Sequence, residues 1–175
     1  MGCHPSQVSS YEEKTYQVVI FGFPRVGKTS FVEFLCNEYN EKDPPVSTSG
    51  VLIRELKFRD KNYRIIDYTW PQIYKWEDFI DKSHGAIVIT DKSGVCEGIS
   101  FTQDLIRNIE QKIIEKNIPI MLLVNKIDDD VDISDIISLM DQTFSFTPHR
   151  VFRSRCVSNE MVDAFMWMNS ALSTY

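Results

Sequence analysis

Residues 16–21 read YQVVIF, a β-branched and aromatic run bounded by polar sequence, which predicts a strand. Two later runs, residues 86–90 and 118–124, are short and almost wholly apolar. Such runs suit strands covered on both faces of a sheet. Residues 51–58 nearly keep a period of two, with turn chemistry at residues 60–62 and a return at 63–67, so a hairpin is expected. Phe101, Leu105, Ile109 and Ile113 recur every four residues among Asp104, Arg107, Gln111 and Lys112, the pattern of an amphipathic helix. A further helix is expected over residues 28–36. A strand near 151–153 and a helix over 160–172 follow, the latter with a core-facing stripe of Met161, Phe165, Met168 and Leu172. Strand and helix alternate, which implies an α/β fold with a mostly parallel sheet. Residues 37–49, with Pro44 and Pro45, read as a loop. Residues 1–14 read as a flexible arm, and residues 15–175 as one domain.

Composition narrows the choices. A chain of 175 residues can bury one sizeable core, and 43% apolar with 25% charged residues is ordinary for a globular domain. The net charge of −6 argues against nucleic acid as a partner and against electrostatic attachment to anionic lipid, since both need a basic face. No run of about 20 apolar residues could span a bilayer. Cys3, Cys36, Cys96 and Cys156 are widely spaced and fit a reducing compartment. Asp128, Asp130 and Asp132 begin like a calcium loop, but Ile133 and Leu139 stand where that loop needs glycine and glutamate. The acidic run reads instead as a solvated helix N-terminus. His4, His84 and His149 read as incidental.

Two motifs carry chemistry. Residues 22–29 read GFPRVGKT and satisfy G-x-x-x-x-G-K-[ST] between an expected strand and helix. Gly22 and Gly27 let the backbone around Pro24, Arg25 and Val26 curl so that its amides converge on phosphate oxygens. Lys28 brings a charge to the outer phosphates, Thr29 offers a hydroxyl to Mg²⁺, and the helix N-terminus favours the same anion. Residues 125–128 read NKID directly after the apolar run: Asn125, Lys126, Ile127 and Asp128. A carboxylate accepts two hydrogen bonds side by side, and guanine offers two adjacent donors on its Watson–Crick edge. Adenine would leave Asp128 unpaired, which is how a polar pocket discriminates.

With a phosphate loop, a hairpin and N-K-x-D in this order, the chain resembles the small GTPases of the Ras superfamily from about Tyr16 onward. It is most similar to the Arf-like branch, on the strength of Thr48 and Gly50 before the second strand and a C-terminus with no prenylation box. The resemblance implies an α/β fold, the G domain of the phosphate-loop nucleoside triphosphatases: a six-stranded, mostly parallel sheet with helices on both faces. It implies GTP and GDP as ligands, Mg²⁺ as cofactor, and effector and regulator proteins as partners. By the same resemblance Thr48 contacts Mg²⁺ and the γ-phosphate, Ser30 lies near the α-phosphate, and Asp67 holds Mg²⁺ through water. A fifth motif falls within residues 154–158, its register open, with Cys156 the candidate to touch the guanine carbonyl through its backbone N–H.

The chain departs from that pattern in the second switch. Residues 67–71 read DYTWP, with Trp70 in place of the family's glycine and Pro71 in place of its glutamine. Gln72 is the nearest substitute. Arg25 reads as a solvated loop residue, and Val51 and Ile66 stand where Arf relatives carry aromatics. A slow GTPase switch is therefore expected, with a non-catalytic scaffold that holds its nucleotide as the alternative. The start, MGCHPS, matches the pattern for myristoylation of Gly2, and Cys3 could carry the second acyl chain that stable attachment needs. The expected location is the cytosolic face of a membrane. Residues 2–14 lack the amphipathic helix usual in the Arf branch.

Overall fold

The computed structural model describes residues 14–43, 45, 50–68, 76–91, 99–155 and 157–174. In chain order the elements are β1 (Thr15–Phe21), α1 (Lys28–Leu35), β2 (Val51–Phe58), β3 (Lys61–Tyr68), α2 (Trp76–Asp81), β4 (Gly85–Asp91), α3 (Ile99–Lys116), β5 (Ile120–Asn125), α4 (Ser134–Thr143), β6 (His149–Arg153) and α5 (Asn159–Ala171). One six-stranded sheet runs β2-β3-β1-β4-β5-β6. Only the β2–β3 hairpin pairs antiparallel; the other neighbours are parallel.

Alternation along β1 divides the core. Val18 and Ile20 pack with α1 and α5, while Val19 and Phe21 pack with α2, α3 and α4. Every one of these β1 side chains is buried, as expected for a central strand covered on both faces. The expected helical stripe holds: Met161, Phe165, Met168 and Leu172 are buried, and Phe165 meets the rings of Phe31, Phe58 and Tyr63. Leu105, Ile109 and Ile113 of α3 are buried likewise.

Four local readings are corrected. The hairpin turn is not at residues 60–62 but at Arg59 and Asp60, with Arg59 in the left-handed region at φ 55°; Asn62 belongs to β3, opposite Lys57. A two-residue turn with positive φ matches strand twist, and that outweighs the turn propensity of asparagine. Strand β5 starts at Ile120 rather than residue 118, because Pro119 has no N–H for the ladder. Helix α2 has no counterpart in the sequence reading, and of α4 only the acidic start before it was read, not its extent. The first has only six residues, and the second buries only Ile136 and Met140 of its ten, too sparse a stripe to stand out. Two of the histidines have partners, His4 lying outside the described residues: Gln17 N–H donates to His84 Nδ1 at 2.9 Å, and His149 Nε2 lies 2.9 Å from Asp141 Oδ1. Among the described residues no helix is long and apolar enough to cross a membrane.

Candidate functional site

The carboxyl ends of β1, β3 and β5 converge, the place where open α/β sheets bind ligands. The loop from β1 to α1 needs both its glycines. Gly22 has φ 150°, and a Cβ there would lie 2.2 Å from the Ile89 carbonyl oxygen. Gly27 has φ 101°, and its Cβ would lie 2.4 Å from Asn125 Nδ2. Between them Arg25 holds φ 68° with its side chain exposed, while Val26 is buried. Among the described residues no side chain caps the N-terminus of α1 at Gly27, and a helix N-terminus of that kind suits an anion.

Lys28 is buried, and its Nζ donates to the carbonyls of Gly22 at 2.9 Å and Phe23 at 2.7 Å. Burial pulls its pKa below the ordinary lysine value, and nearby Asp67 partly restores it. Thr29 Oγ1 donates to Asp67 Oδ2 at 2.8 Å. The Asp67 carboxyl is raised by burial, against the lowering effects of Thr29 and Lys28. Its second oxygen, Oδ1, is buried and has no hydrogen-bond partner among the described residues. An orphaned buried carboxylate oxygen beside a threonine hydroxyl fits Mg²⁺, which takes one or two protein oxygens and completes its shell with water and phosphate. No cluster of three or more His, Cys, Asp or Glu among the described residues could instead hold a metal ion by itself. Ser30, the next helix residue, is half-buried.

The NKID segment is tied to this loop by two bonds. Asn125 Nδ2 donates to Val26 O at 2.9 Å, and Lys126 Nζ donates to Arg25 O. Lys126 itself has φ 56°. Asp128 is exposed. Behind it the chain after β6 is pinned in turn. Ser154 N–H donates to Val124 O at 2.9 Å, and Ile127 N–H to Ser154 O at 3.2 Å. Arg153 Nη1 donates to Asp129 O at 3.1 Å, and Arg155 pairs with the Asp129 carboxylate. Glu160 of α5 accepts from Arg155 N–H at 3.2 Å and from Ser158 Oγ at 2.7 Å.

The structure thus gathers Gly22, Pro24, Arg25, Val26, Gly27, Lys28, Thr29, Ser30, Asp67, Asn125, Lys126 and Asp128 at one end of the sheet. Gly2, Cys3, Thr48, Trp70, Pro71, Gln72 and Cys156 lie outside the described residues. Sequence reasoning missed Asp129, Arg153, Arg155 and Glu160. The one available signal was Glu160, an acid in the first turn of a helix two residues after Ser158.

The sequence model of the ADP-ribosylation factor family matches residues 5–171. No curated protein matches in sequence. Among solved structures, the Arl6 BBS3 small GTPase from Trypanosoma brucei, determined with the bound nucleotide analogue GppNp, is similar with a TM-score of 0.75. Identity is 15%, over 92% of this chain and 99% of that one. With the phosphate loop, the Thr29–Asp67 pair and the NKID segment at one end of a matching sheet, the chain belongs to the ADP-ribosylation factor family of GTP-binding small GTPases.

Proposed function

We propose that this chain is a regulatory switch on the cytosolic face of a membrane, binding GDP and GTP with Mg²⁺ and hydrolysing GTP slowly. The observation that carries the reading is the hydrogen bond from half-buried Thr29 to buried Asp67 beside buried Lys28, with one Asp67 oxygen unsatisfied among the described residues. Thr29 and Asp67 are the residues to hold Mg²⁺, with Thr48 by family resemblance. When bound, the ion neutralises charge on the transferring phosphate. Lys28 would leave its two carbonyl partners for phosphate oxygens, and the α1 amides would cradle the rest. Asp128 would accept from the two guanine donors, and its loop is tied to the phosphate loop through Asn125 and Lys126.

Slow hydrolysis follows from what stands after Asp67. Pro71 has neither an N–H nor an amide side chain with which to orient water, and Trp70 replaces the glycine whose N–H approaches the γ-phosphate. The same two residues favour a second reading, a scaffold that keeps its nucleotide intact and acts through protein contacts. The test is to identify the nucleotide that co-purifies and then follow bound GTP through one turnover with Mg²⁺, beside Pro71→Gln. GTP or GDP but not ATP should be bound. Wild-type hydrolysis should run at or below the order of 10⁻⁴ per second, with Pro71→Gln faster. Equal binding of ATP, or a wild-type rate near one per second, would refute the proposal. GTP that outlasts the assay in both proteins selects the scaffold.

Attachment is proposed through myristate on Gly2, with an acyl group on Cys3 as the second signal. Gly2→Ala should shift the protein from the membrane to the soluble fraction of a eukaryotic cell. An intact mass without myristate would end the idea.

A further inference from the structure

Because five of the six strands run in one direction, the sheet has two chemically different ends. The nucleotide residues occupy the carboxyl ends. At the other end, where β1, β4 and β5 begin and α5 finishes, lies a cavity of about 310 Å³. We propose that this second pocket binds a phosphate-bearing anion.

The walls supply donors. Lys14 precedes β1, Lys82 and His84 precede β4, and Lys116 closes α3. They come from distant parts of a chain whose net charge is −6, so the local positive field runs against the global one. Lys14 Nζ sits 4.6 Å from the centre of the Tyr16 ring, and Lys116 Nζ donates to Asp81 O at 2.6 Å. Lys82 makes no ion pair among the described residues. His84 fixes its own tautomer: Nδ1 accepts from Gln17 N–H, so the proton of the neutral ring is on Nε2. That Nε2–H has no hydrogen-bond partner among the described residues.

Acceptors are scarce by comparison. The one carboxylate among the described lining residues, Asp81, is half-exposed and lies 3.5 Å from Lys112, outnumbered by three lysines. The Ser83 hydroxyl is spent on Phe79 O at 2.7 Å. The floor is apolar, with Leu172 buried beneath it. Three ammonium groups and an imidazole N–H around an apolar floor favour an anion of more than one charge, and lysine is a common point-charge binder of phosphate. The volume is at the lower bound of small-molecule sites, enough for a sugar- or inositol-sized phosphate.

The experiment uses the full chain with its nucleotide site saturated by GDP and Mg²⁺, so that added phosphates cannot enter there. Inorganic phosphate and inositol trisphosphate are titrated while the His84 ring signals are followed by NMR. Vesicles of phosphatidylcholine, with and without a phosphoinositide, form the other arm. The expected result is a saturable shift of the His84 signals, with affinity roughly tenfold weaker in Lys82→Ala, the loss of one charge-assisted bond. GDP dissociation should be unchanged in that variant. Lys82→Gln, which keeps the length of chain without the charge, should weaken binding similarly. Binding to phosphoinositide vesicles but not to plain ones assigns the anion to a lipid headgroup; binding only to the soluble probes assigns it to a free phosphate. No saturable shift with any probe, or an affinity indifferent to Lys82, overturns the proposal.

Discussion

At the scale of single residues, the phosphate loop depends on glycines where a Cβ would collide with its neighbours. Gly27 shows this best, because two restrictions meet there: a left-handed φ and an approach that would bring a Cβ within 2.4 Å of Asn125 Nδ2. Asn125 cannot yield without breaking its bond to Val26 O. Gly27→Ala should therefore cost about 1–2 kcal/mol from the backbone alone, and release of fluorescent GDP should accelerate. Thermal unfolding and stopped-flow release check the two parts; unchanged values for both would mean that the loop adapts. Gly22, Gly27, Lys28, Thr29 and Asp128 were legible because the chemistry fixes both residue type and spacing. Asp67 was legible only through family resemblance. What makes it fit a metal ion is burial and one oxygen unsatisfied among the described residues, neither of which the sequence displays.

At the scale of elements, the NKID loop is held from behind by the segment joining β6 to α5. Arg155 and Asp129 form the outer tie, with Arg153 on the Asp129 carbonyl and Glu160 on the Arg155 amide. Both members of the ion pair are well exposed, so its worth is of the order of 0–1 kcal/mol. Arg155→Ala should speed GDP dissociation by no more than about fivefold and leave association unaltered. Wild-type dissociation should also quicken with added salt, and the variant should lose that dependence. A salt response identical in both proteins would assign the pair no role in nucleotide retention. These ties could not be read in chain order, since Arg155 and Asp129 are 26 residues apart. The elements themselves were largely legible: β4, β5, α3 and α5 follow their apolar patterns. The exceptions are short, as with α2, or sparsely buried, as with α4, whose acidic start was read but whose length was not, or turn on a single residue, as with Pro119 at the start of β5.

At the scale of the whole molecule, acid acts through groups at opposite ends of the sheet. Burial, with Lys14 next in effect, holds His84 below its ordinary value of 6.5. The unfolded chain therefore binds the proton more readily than the fold, and stability falls as pH drops below about 6.5. Asp67 works in the other direction, because a raised carboxyl is protonated in the fold before it is in the unfolded chain. Urea unfolding between pH 7.5 and about 5.5, beside His84→Gln, separates them: the wild type should lose stability and the variant should lose less. Equal slopes would remove His84 from the account. The bond from Asn125 to Val26 has a consequence in time as well as in space, for it spans 99 residues. A ribosome adds about 5–20 residues per second, so the cradle waits roughly 5–20 seconds for the strand that completes it. Through that interval the nascent chain carries the residues for half a nucleotide site and no means of closing it. Parallel strands joined by long crossovers are slow to pair. Nucleotide can therefore take part only in the last stage of maturation, as the ligand that seals a newly made protein.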